Sequence, residues 1–141
     1  MTAPEPYLPG PLLPAVAELQ RRGRGALLVA DTTAAVLSLA TGGFPTDVAA
    51  TPERLVEAAK MDGAVLLADA SRIVRLNAHL NPPPLPTERT GTRHRTADRL
   101  SRAAGVTVVA ISAHGTATVF PPGRDVDASP DGPPPIVVAE R

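Results

Sequence analysis

The sequence predicts an α/β fold, a single domain in which a mixed β-sheet is flanked by helices. Three observations carry this. At 141 residues, with 43% hydrophobic and 20% charged content, the chain matches one domain with a core of its own. Apolar segments of helical period alternate along it with short segments of strand character. Most of the 17 prolines crowd into three blocks, residues 4–14, 81–86 and 121–135, and so punctuate the apolar segments instead of interrupting them. The blocks also set the expected boundaries: an N-terminal arm over 1–10, the domain over 11–120, and a proline-rich tail over 121–141. In that tail only residues 136–139 could add an edge strand. No internal repeat is present.

Each element has its own signal. Leu12 to Arg22 reads as a helix whose apolar face is Leu13, Val16, Ala17 and Leu19 or Gln20, ended by Gly23 and Gly25. Two strands are expected next, ALLVAD from Ala26 and AVLSLA from Ala35, joined by a turn at Asp31 to Thr33. Thr51 stands as an N-cap before Pro52 and Glu53, opening a helix to about Met61 that Asp62-Gly63 stops. The buried-looking strand AVLLAD then pairs with SRIVRLNAHL, where Arg72, Arg75 and Asn77 alternate with apolar residues and suggest one wet or functional face. After NPPPLP, a helix from about Thr92 to Ala104 is closed by Gly105. VTVVAIS and TATVF, linked at His114-Gly115, complete the pattern as a terminal hairpin.

Composition excludes several function classes. Tyr7, Phe44 and Phe120 are the aromatic residues, so the core is aliphatic and stacking platforms for bare bases are nearly absent. A formal net charge of zero removes the broad basic field of a protein that coats nucleic acid or anionic lipid, so any anion site must be local. Without cysteine there is no disulfide, no thiolate nucleophile and no cysteine-bearing metal site. No apolar run approaches the ~20 residues of a membrane span and no signal peptide is evident, so a soluble, cytoplasmic protein is expected.

The densest local charge lies in TGTRHRTADR, Thr90 to Arg99. The first N–H groups of a helix lack internal partners, and the helix dipole adds partial positive charge there. Arg93 and Arg95 would bring forked guanidinium groups that match phosphate oxygens in pairs, with Thr92 adding a hydroxyl. The dipole contributes ~0.3–1 kcal/mol and each charge-assisted hydrogen bond ~1.5–3 kcal/mol, so the arginines would dominate. On its own, the recurrence of Arg95, Arg99 and Arg102 at helical spacing reads as a solvated basic stripe. Asp62-Gly63 likewise reads as a helix stop, and His79 and His114 as exposed or structural residues.

In combination these residues resemble the diadenylate cyclase domain, a family marked by a DGA motif and, about thirty residues later, an RHR motif. The chain has MDGAVLL at Met61 to Leu67 and GTRHRTADR at Gly91 to Arg99. GALLV, SLATGGF, RIVRLNAHL, LPTERTGTRHRTA and VVAIS follow the family in order and spacing, over roughly Leu8 to Phe120. The match is most similar to the DNA-integrity-scanning (DisA) branch. It implies the DisA-type nucleotide-binding fold and condensation of two ATP into cyclic di-AMP with release of two pyrophosphates, across a face-to-face homodimer. It further implies that Asp62 holds Mg²⁺ or Mn²⁺ near the attacking hydroxyl, that Gly63 lets the backbone approach the nucleotide, and that Thr92, Arg93, His94 and Thr96 hold phosphates. Asp62, Arg93 and His94 are thereby the expected catalytic residues. Arg95 belongs either to this set or to the helix entrance and the facing protomer, and Leu80 and Ser112 fall at nucleotide-contacting positions. The family's loop commonly carries an acidic residue between its prolines, whereas this chain has NPPPLP. No helical spine, DNA-binding domain or transmembrane segment is seen, so a stand-alone catalytic domain is expected. The alternative is a catalytically silent module that binds ATP or cyclic di-AMP.

Overall fold

The computed structural model describes residues 11–69 and 71–122, together with the backbone of 136–138. The expected arm over 1–10 and most of the tail lie outside the described residues.

Three layers form the molecule. At its centre is a mixed eight-stranded sheet with the order β2-β5-β4-β1-β6-β7-β8, and β3 also pairs with β5. The strands are β1 (Ala26–Val29), β2 (Ala40–Thr41), β3 (Phe44–Ala49), β4 (Ala64–Ala68), β5 (Arg72–Leu80), β6 (Val108–Ile111), β7 (Ala117–Phe120) and β8 (Ile136–Val138). β1 and β4 run parallel, and the other pairings are antiparallel. The central strands β1, β4 and β6 are covered on both faces, which explains why they read as unbroken aliphatic runs instead of alternating ones.

Helices α1 (Leu12–Arg21) and α3 (Pro52–Ala58) cover one face. There Val16, Leu19 and Leu55 join Leu28, Val65 and Leu67 in one apolar cluster. Helices α2 (Ala34–Ser38) and α4 (Thr92–Ala104) cover the other. Val36, Ala97 and Leu100 join Val29, Leu66 and Phe120 in that second cluster. Successive residues of β1 and β4 thus feed opposite cores, as a period of two requires.

Most expected elements are present, with three corrections. The buried face of α1 is Leu12, Ala15, Val16, Leu19 and Gln20, while Leu13 is largely exposed. The helix starts at Leu12 as expected, but the face it turns to the core is the one that carries Leu12 and Ala15, and the Gln20 side-chain amide on that face donates to the Gly115 carbonyl at 2.8 Å. Second, the expected strand from Ala35 is the short helix α2. Thr33 caps it by accepting from the Val36 N–H at 3.3 Å, and two consecutive alanines favour the helical backbone. Only Ala40 and Thr41 remain as strand.

Third, β3 carried no apolar alternation to announce it, because nearly all of it is exposed. It is held from β5. Arg72 pairs with the Asp47 carboxylate and also donates to the Asp47 carbonyl at 3.0 Å, while Arg75 donates to the Gly42 carbonyl at 2.8 Å. The arginines expected to form a functional face therefore anchor an edge strand.

Bulges between β4 and β5 shape the neighbourhood of Asp62. Their register shifts twice around Leu66, and Asn77 adopts a left-handed backbone at φ 56°. Gly63, at φ 114°, lies so close to it that a Cβ there would come within 2.8 Å of the Asn77 backbone. Strand packing is thus one reason for the missing side chain, beside the nucleotide approach expected of it.

Candidate functional site

A cleft of about 450 Å³, lined mostly by polar residues, opens at the N-terminal end of α4. Its walls come from three places: the loop Glu88 to Gly91, the first turn of α4, and the β6-β7 hairpin through Ser112, His114, Thr116 and Thr118. Gly91 occupies the N-cap position at φ 88°, with no side-chain cap and no acidic residue in the first turn. The helix therefore presents its partial positive charge and its first N–H groups to the cleft without an internal carboxylate to neutralise them. Arg89 and Arg93 add two full charges, and Glu88 is the carboxylate on the lining.

A smaller, strongly polar pocket of about 180 Å³ adjoins it. Arg24, Gly25, Lys60, Asp62 and Gly63 line it, together with Arg93, which is common to both. Asp62 and Arg93 are exposed, and among the described residues neither side chain has a hydrogen-bond or ion-pair partner. The turn after α3 and the first turn of α4 therefore bring the carboxylate of one motif and the guanidinium of the other to a shared pocket.

His94 has a different setting. It is buried, its Nε2 lies 3.0 Å from the Thr118 hydroxyl, and its ring meets Phe120 edge-on at 6.2 Å. Burial, and then the nearby Arg89 guanidinium, hold its pKa below the ordinary imidazole value. At neutral pH it is an uncharged ring fixed by Thr118, so its part in the cleft is that of a hydrogen-bonding group and not of a cation.

The sign of the pH dependence follows. Above pH 6.5 the imidazole is neutral folded and unfolded alike, whereas below it the unfolded chain takes up a proton that the folded site resists. Stability is thus lost as pH falls below 6.5. Between pH 7 and about pH 5, the melting temperature of the wild type is expected to fall more than that of His94→Gln, as measured by calorimetry at each pH.

The expected site residues divide. Thr92, Arg93, His94 and Ser112 line the large cleft, and Asp62 and Gly63 line the adjoining pocket. Ser112 also shapes the hairpin, since its hydroxyl accepts from the Thr116 N–H at 3.1 Å. Leu80, Arg95 and Thr96 line neither. Leu80 is buried in the core beneath α2 and α4, Arg95 points to solvent, and Thr96 is half-buried along α4.

The sequence reading missed Arg89, Thr116 and Thr118. Thr118 lies on β7 and Thr116 just before it, a period-two signal in what reads as a plain apolar segment. Arg89 lies 5.5 Å from the centre of the Phe120 ring, a cation-π distance.

The proline-rich loop is gripped by α4. Arg99 donates to the Leu85 carbonyl at 2.8 Å, Arg102 donates to the Pro86 carbonyl, and Thr87 donates to the Asp98 carboxylate at 2.6 Å. Asp98 also faces Arg102 at 3.5 Å, both almost fully buried. Arg99 and Arg102 are therefore loop anchors instead of members of a solvated stripe. The Thr87 hydroxyl in turn accepts from the Arg89 N–H at 3.1 Å, so this grip reaches the residue that lines the cleft.

Among the described residues there is no cluster of three or more potential metal ligands, and no helix is long and apolar enough to cross a membrane. A single open carboxylate still suits Mg²⁺ or Mn²⁺ where substrate phosphates complete the coordination, as is usual for these hard ions at nucleotide sites. Asp62, beside Arg93, fits that donor set.

Comparison with known proteins places the chain in a family. Residues 14–124 match the DAC family model, described as DisA bacterial checkpoint controller nucleotide-binding. The DNA integrity scanning protein DisA of Symbiobacterium thermophilum is 52% identical over 90 residues, which make up 62% of this chain and 26% of that protein. The chain spans about a quarter of the length of the curated relatives it matches. Among solved structures, a hypothetical membrane spanning protein from Bacillus cereus superposes with a TM-score of 0.70 at 27% identity, covering 79% of this chain and 58% of that one. DacA from Staphylococcus aureus superposes with a TM-score of 0.59 at 23% identity, covering 76% of each chain, and shares the fold.

Proposed function

The chain belongs to the DAC family of DisA-type nucleotide-binding domains, and from that premise we propose that it is a diadenylate cyclase, joining two ATP into cyclic di-AMP with loss of two pyrophosphates. The observation that carries this reading is the position of Arg93. It lines both the cleft at the helix terminus and the pocket of Asp62, so an anion held by one lies beside the carboxylate of the other.

Each ring-forming step makes a bond from a ribose 3′-oxygen to an α-phosphorus and breaks the bond from that phosphorus to the bridging oxygen of pyrophosphate. Such a transfer depends on positioning and charge neutralisation more than on covalent help from the protein. The Arg93 fork and the first-turn N–H groups of α4 would hold the phosphates, with the Thr92 hydroxyl as a further donor. His94, neutral and oriented by Thr118, would supply a fixed hydrogen-bonding group without adding charge. Asp62 would hold a divalent cation, which when bound lowers the cost of charge on the attacking and phosphate oxygens. The Asp62 carboxylate would also accept the proton leaving the 3′-hydroxyl.

A reaction that joins two nucleotides twice over needs two such sites facing each other, so the active species is a homodimer. The test is mass-spectrometric detection of cyclic di-AMP after incubation of the purified protein with ATP and Mg²⁺ or Mn²⁺. Product is expected, with specific activity that rises as protein concentration increases through the dimerisation range. Calorimetric ATP binding without product would instead support a silent binding module.

A further inference from the structure

We propose that Gly25 is a positioning residue for Arg93: its bare Cα, at the start of β1, is the seat that keeps the guanidinium between the cleft and Asp62. This rests on the reading of Arg93 as a phosphate ligand.

The observation is specific. A Cβ built at Gly25 would collide with Cζ, Nη1 and Nη2 of Arg93, and those three atoms are its nearest neighbours. None of these three nearest atoms belongs to the backbone. Gly25 is also absent from the glycines with positive φ, so alanine can adopt the backbone found there. Gly43 and Gly63 make the contrast, since a Cβ at either would strike the backbone of β5 and both have positive φ. At Gly25, neither conformation nor sheet packing calls for glycine. What calls for it is one side chain from another element.

That side chain is long, exposed and without a hydrogen-bond or ion-pair partner among the described residues. A free arginine of this kind samples many rotamers, and ordering it on binding opposes affinity. A shallow seat next to the first residue of a central strand removes part of that cost by holding the fork in place beforehand. The seat also links the two halves of the site, since Gly25 and Asp62 line the same pocket.

The test is a double-variant cycle on the full chain with Gly25→Ala, Arg93→Ala and the combination, reading ATP affinity by calorimetry and melting temperature by scanning calorimetry. Gly25→Ala is expected to melt at or above the wild type, because alanine restricts the unfolded chain. It is expected to weaken ATP binding roughly tenfold as the fork is displaced. In the Arg93→Ala background the same change is expected to alter affinity by less than about twofold. A lowered melting temperature that Arg93→Ala restores equally supports the seat, since it reports the clash directly. Wild-type affinity in Gly25→Ala, or a loss of affinity or stability that persists undiminished in the double variant, overturns it. Arg93→Ala that binds ATP as the wild type does overturns the phosphate-ligand reading itself, a result separable from failure of the seat.

Discussion

Asp62→Asn is expected to abolish most cyclic di-AMP formation while leaving ATP bound. The side chain is exposed, so the substitution disturbs no packing and a stability change within about 0.5 kcal/mol is expected. The amide keeps the shape of the carboxylate but loses its charge, and with it both the preference for a hard cation and the capacity to take a proton. Substitutions that only support a metal ligand cost about ten- to a hundredfold, so loss of the ligand itself is expected to lower turnover by roughly a hundredfold or more. Arg93, which lines the same pocket, is untouched, and ATP affinity measured without divalent metal is expected to stay within about threefold of the wild type. Turnover of the variant at the wild-type rate would remove Asp62 from the mechanism.

Arg93→Ala has the opposite signature. Here binding is expected to fail first, because the substitution deletes the fork proposed to hold the phosphates. Loss of one charge-assisted interaction of ~1.5–3 kcal/mol corresponds to about ten- to a hundredfold in ATP affinity, read by calorimetry. The wild-type affinity is expected to weaken with added salt, and that of the variant to weaken less, since the removed charge contributes to the screened attraction. Arg93→Lys restores charge but not the paired geometry, so partial recovery is the expected result. An Arg93→Ala protein with unchanged affinity and unchanged salt response would locate the phosphates elsewhere.

What could be read from the sequence follows a physical division. Segments whose side chains face two cores, such as AVLLA in β4 and VVAI in β6, are legible because burial on both faces leaves no freedom of composition. Helix α3 is legible from local chemistry alone, the Thr51 cap and Pro52 behind it. Exposed β3 is illegible, since it is held by pairing with β5 and by Arg72 reaching across to Asp47, and not by an apolar pattern of its own. The short segment after Thr33 satisfies a helix and a strand about equally, and its cap decided the matter. At the site, the chemical types of Asp62, Thr92 and Arg93 are legible, whereas their company is not. That Arg99 and Arg102 grip a loop, and that Thr118 orients His94, depends on residues brought together over distances along the chain that no local pattern records.

The grip of α4 on the proline-rich loop fixes the mouth of the cleft as a dimension and not as a hinge. One end of the helix lines the cleft, and its middle holds Leu85, Pro86 and Thr87, from which the Glu88 to Gly91 rim continues. Helix end and rim therefore travel together as one body. A nucleotide entering such a mouth meets walls already set at their working distance, and widening it would mean withdrawing a buried arginine and a buried aspartate from their partners together.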